Sequence, residues 1–95
     1  MKIIALEKEM TNARVLSFRK YAKAEAKALW QLYIDGIVRE FYFRKEKKLA
    51  VLILEVKNKQ TAKKALGSLP YVSKKLIEFE LIPLRPYPGF QRLFK

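Results

Sequence analysis

Residues 49–56 constrain this chain more than any other stretch. They run Leu49, Ala50, Val51, Leu52, Ile53, Leu54, Glu55, Val56, with Glu55 the one polar side chain. A strand with one wet face alternates apolar and polar residues, and this run is too short and too β-branched for a good helix. It therefore reads as a central strand covered on both faces. A chain of 95 residues can cover one face of a sheet with its helices but has little left for the other. A second subunit is the expected cover, making a homodimer or a higher homo-oligomer.

Ninety-five residues with 51% hydrophobic content suit one domain over residues 1–95 that folds without disulfides or a structural metal. The sequence has no cysteine and no histidine. The usual ligands for zinc, copper and iron–sulfur centres are thus missing, as are Ser-His-Asp and Cys-His catalytic sets, and no cofactor is expected. The apolar run near Met1 is too short for a signal peptide, and no later run approaches a membrane span. A cytoplasmic protein without membrane contact is the expectation. The net charge of +12 favours anionic partners. Most of it, however, is lysine spread over helical faces and turns, such as Lys20, Lys23, Lys27, Lys63 and Lys64, where a solvated surface would place it.

Taken in order, residues 2–8 around Ile3, Ile4, Ala5 and Leu6 suit a short strand buried on both sides. Thr11, Asn12 and Ser17 are cap-type residues, so a helix begins among them and is firm over residues 19–35. There Ala22, Ala26, Leu29, Trp30 and Tyr33 form an apolar stripe that should face the sheet, and Gly36 supplies the stop. Residues 37–44 switch to period two, with Ile37, Arg39, Phe41 and Phe43 on one face and Val38, Glu40 and Tyr42 on the other. The charged turn Lys45, Glu46, Lys47 joins this strand to 49–56 as a hairpin. Asn58 caps a second helix carrying Ala62, Ala65, Leu66 and Leu69, closed by residues 67–70. Residues 71–75 read as a linker. Residues 76–84 form a last strand, with Ile77, Phe79 and Leu81 alternating against Glu78 and Glu80.

Strand, helix, strand, strand, helix, strand is the ferredoxin-like βαββαβ sandwich, an α+β arrangement with strands one and three central. Beyond it, Pro86 and Pro88 impose an extended path on residues 85–95, and Tyr87, Phe90, Leu93 and Phe94 are too apolar to stay in water. This tail should dock on a partner subunit.

Two stretches carry a resemblance. The first is Trp30, Gln31, Leu32, Tyr33, Gly36 and the run from Arg39 to Phe43. The second is Leu69, Pro70, then Leu76, Ile77, Glu78, Phe79, Glu80, then Ile82, Pro83, Leu84, then Pro86, Tyr87, Pro88, Gly89, Phe90, Leu93 and Phe94. Together they resemble an uncharacterised branch of the muconolactone isomerase-like family, in the dimeric α+β barrel superfamily. The resemblance implies two ferredoxin-like subunits packed sheet to sheet, and binding or isomerisation of a small lactone or aromatic acid by cofactor-free proton transfer. Superfamily members differ widely in activity, so the function is carried less firmly than the fold.

Such an isomerisation needs a base, a group that stabilises an enolate, and a dry pocket. Glu40 and Arg39 are the candidate catalytic pair, although neighbours on a regular strand point to opposite faces. A salt bridge explains Glu40 as well, and an interfacial ion pair explains Arg39. Trp30, Tyr33 and Tyr42 are candidates to wall a pocket for a small anionic or aromatic ligand, with core packing the plainer account of Trp30 and Tyr33. Glu55 is the other candidate carboxylate, whose pKa burial would raise; a solvated strand end is its plainer account.

Two rival classes remain. A noncatalytic dimeric module that binds a small ligand or another protein needs no catalytic base. A nucleic-acid module shares the βαββαβ order and the charge, but stacks bases on aromatics of the two central strands. Those strands contain none here, which argues against nucleic acid as a partner.

Overall fold

The computed structural model describes residues 1–11 and 14–94. It contains four strands, β1 (Lys2–Glu9), β2 (Val38–Phe43), β3 (Ala50–Glu55) and β4 (Ile77–Pro83), and three helices, α1 (Val15–Ile34), α2 (Lys59–Gly67) and α3 (Pro70–Ser73). The strands form one antiparallel sheet in the order β2-β3-β1-β4, an α+β architecture compatible with the ferredoxin-like fold. β3 is central, as its composition requires. Helix α1 packs toward the β2 side and α2 toward β4, both on one face. Among the described residues no helix is long and apolar enough to cross a membrane.

Helix ends follow local chemistry. Helix α1 begins after Arg14, which makes no side-chain cap bond; Asn12 lies outside the described residues. Its far end is a Schellman turn: Gly36, at φ +75°, donates to the Tyr33 carbonyl and Ile37 donates to Leu32. The side chain of Asn58 accepts from the Thr61 amide at 2.8 Å and so caps α2. Residues 71–75, expected as a linker, are instead largely helical, because Pro70 fits the first turn of α3 and Lys75 closes it in the left-handed region at φ 60°.

The core is built on the helix-covered face. Ile3, Ala5, Val38, Leu52 and Leu54 are buried there, beneath Leu32 of α1, Ala62 and Leu66 of α2, and Leu69. Cross-strand register places Ile4, Leu6, Val51, Ile53, Ile82, Glu40 and Tyr42 on the opposite face. Among the described residues no helix covers that face, so β1 and β3 are buried on one side and only half-buried on the other.

Two face assignments change. In β2, Val38 pairs with Leu54 while Glu40 pairs with Ile53, leaving Arg39 as an extra residue in a bulge. The bulge resets the alternation, so Val38 joins Phe41 and Phe43 on the helix side. In α1, the stripe Ala22, Ala26, Trp30 and Tyr33 is exposed, with Leu29 half-buried. The helix instead presents Phe18, Tyr21, Glu25, Ala28 and Leu32, all buried or half-buried. The two stripes differ by one residue, about 100° of rotation.

Candidate functional site

The rotation of α1 brings a carboxylate into the interior. Glu25 is the one charged residue buried among those described, at 5% exposure. Its Oε1 accepts from the Tyr71 amide at 2.9 Å, a partner that an unpaired first-turn N–H of α3 would otherwise lack, since Leu69 before the helix has no capping side chain. Burial pushes the Glu25 carboxyl up from the ordinary range; the Tyr71 N–H opposes this and the nearby Glu7 adds to it.

Glu7 follows Ile3 and Ala5 on the covered face of β1 and is half-buried. Its Oε1 accepts from the Ala50 amide at 2.9 Å. Burial raises its pKa, the Ala50 bond lowers it, and Glu9 raises it again, with a net upward shift. Together with Glu9, Phe18, Phe43, Lys48 and Tyr71 it lines a cleft of about 310 Å³, between the start of α1, α3 and the β2–β3 hairpin. That volume suits a small ligand. Phe18 and Tyr71 meet edge to face with centroids 5.1 Å apart, and the Tyr71 hydroxyl donates to the Phe18 carbonyl at 3.1 Å. Burial, then Glu25 and Glu7, keep that phenol protonated by raising its pKa. The cleft thus joins an apolar aromatic wall, a carboxyl with raised proton affinity and an ammonium.

The residues singled out from sequence lie elsewhere, in two separate regions. Glu40 and Tyr42 are on the uncovered sheet face, where the Tyr42 hydroxyl donates to Glu40 at 2.5 Å and its pKa is raised by that bond. Arg39, in the bulge, donates from Nε to the Gly36 carbonyl at 2.7 Å. Glu55 stands on the same open face, and its carboxyl is 2.9 Å from the Met1 ammonium. Its pKa is lowered, chiefly by that contact and with smaller contributions from Lys2 and Arg39, the reverse of the rise expected from burial. Trp30 and Tyr33, with Ala26, Leu29 and Phe41, line a shallow groove of about 460 Å³ on the outer side of α1 and the β2 edge. In one chain the aromatic candidates Trp30 and Tyr33 therefore do not meet the carboxylates Glu40 and Glu55.

Sequence reasoning missed Glu7, Glu25 and Tyr71. A usable signal was present: Phe18, Tyr21, Glu25, Ala28 and Leu32 recur at spacings of three and four, and a carboxylate within such a stripe must be hydrogen-bonded or functional. Among the described residues no cluster of three or more acidic side chains is placed to hold a metal ion. No protein-family model matches the sequence, and no curated protein matches it. The class is therefore defined by architecture and site alone: an α+β protein with one open sheet face and a small acidic, aromatic-walled cleft beneath the other.

Proposed function

We propose that this chain binds a small lactone or aromatic acid in the Glu7 cleft and isomerises it by cofactor-free proton transfer, as a cytoplasmic homodimer of the muconolactone isomerase-like kind. The carrying observation is the half-buried Glu7 carboxyl, whose proton affinity is raised, set among Phe18, Phe43 and Tyr71 beside Lys48. Lys48 would hold a ligand carboxylate, and the rings would exclude water from the reacting carbons. Glu7 then takes a proton from the carbon next to the carbonyl, the C–H electrons move into the enolate, and the Glu7 carboxyl, after exchange with water, returns a proton at the conjugated carbon. Atoms and electrons balance without a co-reactant. The Glu40 and Arg39 pair is not needed in this reading.

Support for the dimer comes from the open sheet face. Ile4, Leu6, Val51 and Ile53 are half-buried there, Ile82, Leu84 and Tyr42 are exposed, and packing a second sheet about 10 Å away would cover them. The noncatalytic reading has its own support, because the Glu7 carboxylate already has a backbone partner in Ala50. Deuterium exchange separates the two. A panel of small unsaturated lactones in D₂O, followed by NMR, should show label entering at the conjugated carbon with the native protein and not with Glu7→Gln, while small aromatic carboxylates in the same panel report binding alone. Saturable binding without exchange in either protein would leave a binding module and remove the enzyme.

A further inference from the structure

The C-terminal segment and the outer groove of α1 are both apolar and both uncovered. After Leu84, whose amide still donates to the Lys2 carbonyl, the chain leaves the sheet. Residues 84–88 run extended into a 3₁₀ turn, Gly89–Phe94, and Tyr87 and Phe90 stack edge to face with centroids 5.1 Å apart. Leu93 and Phe94 are 75% and 85% exposed. The segment stands away from its own domain. The molecule measures 58 × 29 × 20 Å with a radius of gyration of 15.5 Å, whereas about 12 Å is usual for a compact domain of this length.

The cross-strand register locates where such a segment can go. Val38, Leu54, Ile3 and Pro83 lie in one row across the sheet, so β4 ends at the end of the sheet where β2 begins and α1 stops. The groove of Trp30, Tyr33 and Phe41 is at that end, but at the other edge, three strand spacings or about 14 Å away. Two sheets packed face to face about a two-fold axis parallel to their strands bring each β4 edge over the partner's β2 edge, with the ends matched. The segment's exit then lies beside the partner's groove. The five residues 84–88 reach about 17 Å when extended, enough to cross the roughly 10 Å between sheets and pass around the edge.

We propose that each chain's segment 85–94 straps over the β2 edge of a second copy and seats Phe90, Leu93 and Phe94 in that copy's groove of Ala26, Leu29, Trp30, Tyr33 and Phe41. It rests on the face-to-face dimer proposed above. The strap explains why α1 carries a second apolar stripe that its own sheet covers only in part, through Tyr33 against Phe41 and the half-buried Leu29.

Trp30 is the chain's one tryptophan and is 61% exposed in a single copy, so it reports the contact. Acrylamide quenching and sedimentation are measured on the full chain and on a Phe90→Ser/Leu93→Ser/Phe94→Ser variant. These positions make no core contact, so the variant keeps its fold. The full chain should be dimeric with Trp30 quenched several-fold more slowly than in the variant. A dimeric full chain whose Trp30 is quenched as fast as the variant's overturns the strap and leaves the sheet-to-sheet dimer standing. A monomeric full chain overturns both. In this cysteine-free sequence, Tyr33→Cys/Phe90→Cys should oxidise to a covalent dimer; an intramolecular disulfide in a single chain would place the segment on its own groove and overturn the exchange.

Discussion

The two faces of the sheet have nearly the same composition and opposite fates. On one, Ile3, Ala5, Leu52 and Leu54 are sealed by α1 and α2; on the other, Ile4, Leu6, Val51 and Ile53 come from the same strands and stay half-buried, with no helix of the described residues over them. What separates them is the number of helices available, since two crossovers of one hand fill a single side. Apolar composition alone therefore marks how many layers a strand needs, and the helices decide how many of those layers its own chain supplies. The charged residues sharpen the contrast. The covered face holds Glu7 and Glu25, with proton affinities raised by burial. The open face holds Glu55, whose carboxyl is lowered by an adjacent ammonium.

The largest expected effect separates the faces directly. Leu54 is fully buried, and Leu54→Ala should cost about 2–5 kcal/mol by lost transfer energy and a residual cavity. Chemical denaturation would show it as a lower midpoint at unchanged slope. Ile53, one residue away, faces the other side. Ile53→Lys should leave a folded chain by circular dichroism but a monomer by sedimentation, because withdrawing a lysine from water at the seam costs more than the Glu40 carboxylate opposite it on β2 returns. An Ile53→Lys protein that stays dimeric would show that the second copy covers some other surface.

The next effect concerns the sign of the pH dependence. A carboxyl whose pKa is raised on folding makes the native state bind its proton more tightly than the unfolded chain does. Stability then falls as pH rises from the ordinary carboxylate value through the raised one. Glu55 has the opposite sign, contributing stability above its unfolded pKa that is lost as pH falls through its lowered folded value. Glu25→Gln keeps an acceptor for the Tyr71 amide and removes the buried charge. It should therefore melt higher than the native protein at neutral pH, with the gap narrowing as pH drops into the ordinary carboxylate range. Parallel melting curves across that range would mean that Glu25 titrates like a solvated residue.

The same contrast explains what the sequence made legible. Element order, the central place of β3, the Asn58 cap and the Gly36 stop each rest on local signals, periodicity or a single special residue, and each is present. The rotation of α1 was not legible in the same way, because the helix carries two apolar stripes and the more aromatic one, with Trp30 and Tyr33, is the exposed one. The bulge at Arg39 is a pairing event between β2 and β3, without a glycine to announce it. The first of these moved the candidate site. A rotation of one residue hid Glu25, and the bulge moved Val38 to the helix side while Arg39 and Glu40, chosen for their apolar and aromatic neighbours, stayed at the open edge.

The smallest expected effect tests whether the open face stays open. Lys8 and Glu80 lie across β1 and β4 with their charged atoms 3.6 Å apart, each side chain half exposed. In a single chain this is a surface ion pair, for which a coupling of about 0.2–1 kcal/mol, weakened by salt, is the normal range. Covering the face with a second sheet withdraws water from the pair without changing its geometry, so its coupling should grow and lose its salt dependence. A double-mutant cycle on Lys8→Ala and Glu80→Ala, run in low and high salt on the native background and on monomeric Ile53→Lys, measures that change. A coupling that is small and salt-sensitive in both backgrounds places the pair outside the seam, and confines any second copy to the apolar residues nearer the middle of the sheet.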